Sequence, residues 1–491
     1  MALDLNPPQE QLNNLLEHYQ TGRLVEAENL AISITQEFPK HPFSWIVLGA
    51  VLKQSGRYSE ALSANQKAVI LSPQDPAAHN NLGNTLKELR KLEQAEASYG
   101  QAIILKPDFA EAHNNLGITL KELGKLEEAE ASCRQAIVLK PDFAEAYNNL
   151  GNTFKELGKL EEAEASCRQA IVLKPDFAEA HNNLGNTLQE LGKLEEAEVS
   201  YGQAIELKSN YLDAHNNLGS ILKKLGKYED AIYQFDLVNN PYSKALSLEC
   251  LYMNKSYSEY DERLHFISAN DDKNIRIAAV SAFTSNQMKK KDPYRFCPDP
   301  LDFILIKNLD EYESQSKNLI NEIIKESSGY QLIWESRTTK FGYQSRSDIF
   351  NKPSKAISNL EIIIQKVVND YYNNFRSESN IFIKSWPSEY KLYGWFNRLL
   401  KNGYQTSHIH PSGWLSGVIY LKTMALNNNE GAIEFGLHGY DLPVIDKDYP
   451  RKIHRPKIGD IALFPSSLFH RTIPFSSDSE RCVIAFDLMR I

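Results

Sequence analysis

The sequence predicts a two-module α + β chain: an all-α solenoid of repeated helix pairs, then a strand-rich domain with flanking helices. Three observations predict it. Gly49, Gly83, Gly117, Gly151, Gly185 and Gly219 stand 34 residues apart, and Ala27, Ala61, Ala95, Ala129, Ala163, Ala197 and Ala231 keep the same step. The Ala-Glu-Leu idiom of these repeats stops near residue 245, beyond which Lys, Asn, Ile and Tyr rise and the aromatic residues concentrate. After residue 390, short β-branched or aromatic runs alternate with turn residues, the pattern of strands. A length of 491 residues also exceeds what one hydrophobic core usually supports.

Within the first module Pro39, Pro73, Pro107, Pro141 and Pro175 repeat at the same interval. A 34-residue period with Leu-Gly early, Ala in the middle and Pro near the end is the tetratricopeptide pattern. Each unit reads as helix–turn–helix: Gly and Ala let the two helices approach closely, and Pro ends the second. About seven units fit between residues 8 and 245, the first being the least regular. One column stands out on the first helix of each pair: Asn81, Asn115, Asn149, Asn183 and Asn217. Stacked on a concave face, each amide would offer one acceptor and two donors to a peptide bond. The same Asn-Asn-Leu-Gly run is equally how a regular array of this kind is written. The repeats, down to Ala-His-Asn-Asn-Leu-Gly-Asn, resemble the superhelix of the protein O-GlcNAc transferases. The likeness stops at about residue 245, and the remaining chain is too short for their two-lobed catalytic region. The period also removes false leads. His79, His113, His181 and His215 occupy one repeat position, as do Cys133 and Cys167, so none of them reads as a metal cluster.

Residues 246–292 read as a polar, partly helical connector that includes Lys289-Lys290-Lys291. The second module spans 293–491. Its Leu360, Ile364, Val367 and Tyr371 recur at helical spacing and describe a helix packed on a sheet. Strands are expected at Lys391–Leu399, Trp414–Lys422, Gly431–Gly436, Asp460–Phe464 and Arg481–Leu488. On a strand, residues two apart point the same way, so His408 and His410 present two imidazoles to one point. His470, at the end of a distant strand, would complete a facial metal site with open positions, a geometry that suits Fe(II) and oxygen chemistry. His438 and His454 are read as packed or hydrogen-bonded histidines without a metal role.

The order of these residues carries a resemblance. His408-Ile409-His410-Pro411, Gly459-Asp460-Ile461-Ala462-Leu463-Phe464-Pro465, His470 and Glu480-Arg481 resemble the double-stranded β-helix oxygenases that use Fe(II) and 2-oxoglutarate. From Phe296 to Met489 the chain is similar to a group with an H-x-H-P…S-G-V-x-Y-L…F-P-S-x-x-x-H…E-R signature. Phe296–Leu301, Thr338–Gln344 and Trp395-Phe396-Asn397 share in that likeness. It implies a jelly-roll fold, an Fe(II)- and 2-oxoglutarate-dependent dioxygenase (a hydroxylase), iron held by His408, His410 and His470, and Arg481 paired with the far carboxylate of the cosubstrate. Three departures are visible. His410 stands where the broader superfamily has a carboxylate, Ile419 where relatives often have a Tyr that helps hold the cosubstrate, and Val483 where an Arg-x-Ser pair is common. Gly459-x5-Pro465-x4-His470 and His408-x-His410 also resemble the two cupin motifs, with Ser467 in place of a Gly and without the Glu that should come after the first pair.

Composition limits the remaining classes. A net charge of −9 and a single short basic run disfavour nucleic acid as a partner. Five scattered Cys without a pairing pattern indicate a reducing compartment. Met1–Pro8 lacks the basic start and apolar core of a secretory signal, and no apolar run is long enough for a membrane span. The expectation is a cytoplasmic dioxygenase whose repeats recruit a protein or peptide. Two alternatives stay open: a cupin-like metal enzyme that does not use 2-oxoglutarate, and a non-catalytic repeat scaffold with a degenerate barrel.

Overall fold

The computed structural model describes residues 6–336, 338–424 and 428–491, so most of the Met1–Pro8 stretch read for a secretory signal lies outside the described residues. The chain divides into two compact units, Met1–Ile221 and Leu222–Ile491, the division falling inside the helix Leu212–Lys224. Among the described residues, no helix is long and apolar enough to cross a membrane.

The first unit is the expected array of tetratricopeptide helix pairs. A representative pair is Ala110–Glu122 and Leu126–Leu139. Its two helices approach closely because Gly117 has no side chain: a Cβ there would lie 2.6 Å from Cys133 Sγ. The period-34 alanines line the same seam, and Ala95, Ala129 and Ala163 are fully buried. The first helix ends in a paired cap. The Gly124 N–H donates to Lys121 O and the Lys125 N–H to Leu120 O, both at 2.9 Å, with Gly124 at φ 76°, the left-handed conformation this cap requires. At the equivalent point one repeat earlier stands Arg90, at φ 58°.

Successive repeats are joined by an amide ladder. Asn115 Nδ2 donates to Asn80 Oδ1 at 3.1 Å, Asn149 to Asn114 at 2.8 Å, Asn183 to Asn148 at 2.9 Å and Asn217 to Asn182 at 3.0 Å. The acceptors are buried and the donors half-buried. The column expected to face solvent thus also ties each repeat to the one before.

In the second unit, the segment that composition reads as a connector forms Pro241–Met253, Tyr257–Asn270 and Ile275–Gln287. The last of these buries Ile277, Val280 and Phe283. Glu249, fully buried, pairs with Lys223 and with Arg276. Gln287 Oε1 accepts from the N–H groups of Ile445 and Asp446, and Tyr252 donates to Pro443 O. These helices therefore pack on a loop of the strand domain, which explains their apolar content.

Among the described residues, ten strands make one antiparallel sheet: β1 (Leu305–Asn308), β2 (Leu332–Trp334), β3 (Thr339–Ser345), β4 (Tyr390–His408), β5 (Leu415–Lys422), β6 (Ile433–Gly436), β7 (Arg451–His454), β8 (Asp460–Pro465), β9 (Phe469–Thr472) and β10 (Arg481–Arg490). Their order is β1-β8-β5-β10-β4-β9-β6-β7, with β3 pairing β2 and β4. All five expected strands are present; the other five, β1, β2, β3, β7 and the short β9 that carries His470, have weaker sequence patterns. The long β4 pairs β10 along Tyr390–Leu399, then β9 through Gln405 and His408. Between these stretches Asn402 takes φ 64° and donates its N–H to Phe475 O at 2.7 Å. The sheet thereby doubles over into a half-barrel, and Phe435 of β6 packs edge-on against Phe464 of β8, centroids 4.9 Å apart. Outside it lies the helix Lys355–Phe375, which buries Leu360, Ile364, Val367 and Tyr371 as its spacing predicts.

The array yields two testable outcomes. Left-handed backbone costs a side-chain-bearing residue about 1–2 kcal/mol, and the exposed Arg90–Glu122 pair offsets little of that. Arg90→Gly should therefore raise the urea midpoint, with a net gain of about 0.5–1 kcal/mol after the extra chain entropy of Gly; a lowered midpoint contradicts this account. Asn149→Ala strands the buried Asn114 oxygen without its donor and should cost about 1–3 kcal/mol. An unchanged melting curve would show that the ladder contributes nothing.

Candidate metal centre

The bend in β4 sets the site. His408 is its last residue and lies opposite His470 of β9 as a Cα partner. His410 comes two residues later, outside the strand, where its N–H donates to Ser466 O at 3.1 Å and its carbonyl accepts from Gly413 at 3.0 Å. The tight turn through Pro411 and Gly413 swings its ring back beside the other two. Ring centroids are 4.3 Å apart for His408 and His470, 5.2 Å for His408 and His410, and 5.0 Å for His410 and His470. The candidate ligand atoms of the three lie within 4.8 Å of one another, the one such His, Cys or acidic group found among the described residues.

The tautomers are set by the neighbours. His408 Nδ1 lies 2.6 Å from Thr406 O and His470 Nδ1 3.1 Å from Leu468 O. A carbonyl only accepts, so each Nδ1 carries the proton and each Nε2 keeps its lone pair. His410 Nδ1 lies 2.6 Å from Asp487 Oδ1, which leaves its Nε2 free in the same way. Burial, reinforced by the neighbouring His410, pushes the His408 imidazole down to about 3. Burial likewise holds His470 well below the usual histidine range. These are neutral rings with outward lone pairs, the form a metal ion needs. The donor set fits Fe(II).

Beyond the imidazoles, register identifies the interior face of the sheet. On β10 that face carries Val483, Ala485 and Asp487, which oppose Asn397, Trp395 and Tyr393 of β4 and Tyr420, Val418 and Ser416 of β5. Trp395 lies 5.3 Å from the His410 ring. Arg481, four residues and roughly 13 Å of strand from Ala485, is 2 % exposed, with its Cζ 5.0 Å from the centroid of the Tyr420 ring. Burial lowers its pKa, against the opposing pull of Tyr420. Its Nε and Nη1, the Tyr420 hydroxyl and both amide atoms of Asn397 are buried without partners. A buried guanidinium with two unpaired nitrogens fits an incoming carboxylate such as that of 2-oxoglutarate.

Some expectations change here. Ile419 faces away from Arg481, and the side chain beside the guanidinium is that of its neighbour Tyr420. Asn397 faces Val483 across the strand pair and brings an amide to the place where a serine was expected. The alternation Ser416, Val418, Tyr420 along β5 is the sequence signal for the first of these. Asp487, a lone acid in Cys482–Met489, is the signal for the His410 contact. Arg481 does not reach the wall of the cavity beside the triad. That cavity, of about 470 Å³, is lined by His408, His410, Asp487, Tyr393, Trp395 and Arg346 among others. His438 and His454 are hydrogen-bonded to Leu442 O and Asp460 as expected, and His79, His113 and His181 to prolyl carbonyls within the repeats.

Comparison with known proteins agrees. Residues 393–487 match the family described as "Putative 2OG-Fe(II) oxygenase", and segments from 49 to 226 match the TPR repeat. The chain joins tetratricopeptide repeats to a domain of this oxygenase type. No curated protein matches it. Similar solved structures include the APC/C hetero-tetramer Cut9–Hcn1, at 18% identity over 50% of each chain and a TM-score of 0.45. They include a tetratricopeptide repeat protein from Parabacteroides merdae, at 19% identity over 49% of this chain and 96% of that one, TM-score 0.41. Pseudomonas aeruginosa PilF is 20% identical over 42% of this chain and 97% of its own, TM-score 0.38. The chain spans half the length of the first of these.

The depressed imidazoles give a pH dependence. An unfolded histidine takes up its proton near pH 6.5, whereas folded His408 resists it down to about 3. Between those values the unfolded state binds more protons, so the stability of the metal-free protein should fall with falling pH. His408→Gln, which removes one such group, should flatten the decline of melting temperature between pH 7 and 5. An equally steep decline in the variant would mean that His408 is protonated in the folded state.

Proposed function

We propose that the C-terminal domain is an Fe(II)- and 2-oxoglutarate-dependent dioxygenase that hydroxylates a protein or peptide recruited by the repeat array. The single observation that carries this reading is Arg481. A buried cation left unpaired is costly, and the group that relieves the cost here is an anion matching a planar fork. Bound iron and 2-oxoglutarate together would supply the oxygen activation. The residues of this chain do the rest. His408, His410 and His470 would hold the metal through Nε2. Arg481, the Tyr420 hydroxyl and the Asn397 amide would receive the distal carboxylate. Tyr393 and Trp395 border the space where a substrate chain can lie, and Arg346 and Gln344 offer it polar contacts at the rim.

The repeats support recruitment in two ways. Tetratricopeptide repeats are in general protein-interaction modules. After each ladder bond, Asn115, Asn149 and Asn183 retain a second N–H and the amide oxygen, enough for one peptide group apiece, whereas Asn217 gives Nδ2 to both Asn182 and Asn186. The proposed setting is the cytoplasm, supported by five buried cysteines that are all free thiols.

A cupin-like enzyme would use the same histidines but would have no use for Arg481, and a scaffold would bind neither metal nor cosubstrate. Anaerobic titration with Fe(II) and then 2-oxoglutarate separates the three through the visible charge-transfer band of the chelate. Arg481→Ala removes one partner of a desolvated pair, at roughly 3–5 kcal/mol. Cosubstrate binding should weaken by about two to four orders of magnitude, with iron content unchanged. Arg481→Lys should recover part of the loss. Equal 2-oxoglutarate affinity in the Ala variant and the parent would move the cupin reading ahead.

A further inference from the structure

Three imidazoles are an unusual home for Fe(II), since sites of the facial type commonly include one carboxylate. Neutral ligands leave the full dipositive charge on the ion. We propose that Asp487 supplies the missing negative charge through His410, acting as the positioning residue that makes this imidazole the strongest donor of the three. The inference rests on the metal-site reading above.

The contacts around Asp487 are those of a purpose-built seat. Its Oδ1 accepts from His410 Nδ1 at 2.6 Å and from Ser416 Oγ at 2.7 Å, and Ser416 Oγ lies 2.8 Å from Ser466 Oγ. The Asp487 side chain is only 10% exposed, and among the described residues His410 is the one cation-forming group that pairs with it. On its own face of β10 it follows Val483 and Ala485, both buried apolar residues, where an unpaired carboxylate would be strongly unfavourable. The turn after His410 is shaped to it as well. A Cβ on Gly413 would stand 3.0 Å from Asp487 Cγ and 2.6 Å from Ser466 Oγ, so only glycine lets the His410–Gly413 turn lie against this carboxylate. A carboxylate accepting the second N–H of a ligating histidine fixes the tautomer, orients the ring and raises its basicity. The charge that a direct ligand would bring thus stands one imidazole away from the metal position.

The plainer possibility is that Asp487 merely braces the turn, and a charge-relocation experiment distinguishes the two. Full-length protein is stripped of metal, and Fe(II) affinity is measured anaerobically by chelator competition, with folding checked by circular dichroism. Asp487→Asn should weaken binding roughly 10–100-fold. His410→Asp should also bind poorly, because two carboxylates in contact cannot both ionise readily. The combination His410→Asp with Asp487→Asn places a single carboxylate directly at the metal and should recover affinity to within about tenfold of the parent. If Asp487 is only a brace, the double variant will be no better than the worse single one, and that result overturns the proposal. So does parental affinity in Asp487→Asn. Should Asp487→Asn fail to fold, the comparison of His410→Asp with the double variant decides alone. A parent that binds no Fe(II) overturns the functional reading and this inference together, whereas a binding parent with an indifferent Asp487 overturns this inference only.

Discussion

One strand belongs to both halves of the C-terminal sheet, and the site depends on that. β4 gives its first ten residues to β10 and its last few to β9, turning at a left-handed Asn402 in between. The first stretch places Trp395 and Asn397 on the interior face. The second delivers His408 opposite His470, and the chain emerging from it carries His410 back beside them. Straightening β4 would separate His408 from Trp395 and dissolve the triad, even with every ligand residue still present. The pairing is non-local, joining residues from 62 (His408 and His470) to 100 (Tyr390 and Arg490) positions apart, so the site is as much a product of register as of composition.

The charges of the interior are arranged in opposition. Near the imidazoles the fixed charge is negative, at Asp487. Further along the same face it is positive, at Arg481, and that charge lacks a counter-ion among the described residues. Apolar Val483 and Ala485 separate the two on β10. A dicationic metal at one end and a carboxylate at the other would each meet its complement, so the polarity of the strand matches the polarity of the ligands it is read to bind. Buried charges cost several kcal/mol apiece when unpaired, which gives such an arrangement a reason to exist.

Much of this was legible in the sequence, and the rest was not, for a physical reason. The repeats announce themselves because each unit is written in contiguous residues, so arithmetic on Gly, Ala and Pro is enough. His408 and His410 are legible as a pair because they are two apart, although His410 lies past the end of β4 and reaches His408 through a turn rather than by strand alternation; His470 is legible because the Gly459–Phe469 run leads into it. Asp487 shows in the sequence only as a lone acid in an apolar strand; its partner lies 77 residues away, and only strand register identifies it. The neighbour of Arg481 was equally hidden, since in a period-2 structure one residue reverses the face: Tyr420 lies beside Arg481 while Ile419 points away. The packing of 246–292 was not legible because Asn254-Lys255, the polar run 270–274 and Lys289-Lys290-Lys291 dilute the buried Ile277, Val280 and Phe283.

The amide ladder of the array has a consequence of another kind. Each rung links two neighbouring repeats, so part of the energy that orders the array resides in its junctions and adds to the packing within each helix pair. A chain of units held in that way behaves like a row of magnetic spins coupled to their nearest neighbours. Its interior repeats feel two couplings and its terminal ones a single coupling, so disorder enters from the ends and advances one 34-residue step at a time. Length then becomes a stabilising quantity in its own right, and an array shortened by one repeat would lose cohesion throughout rather than only at the cut.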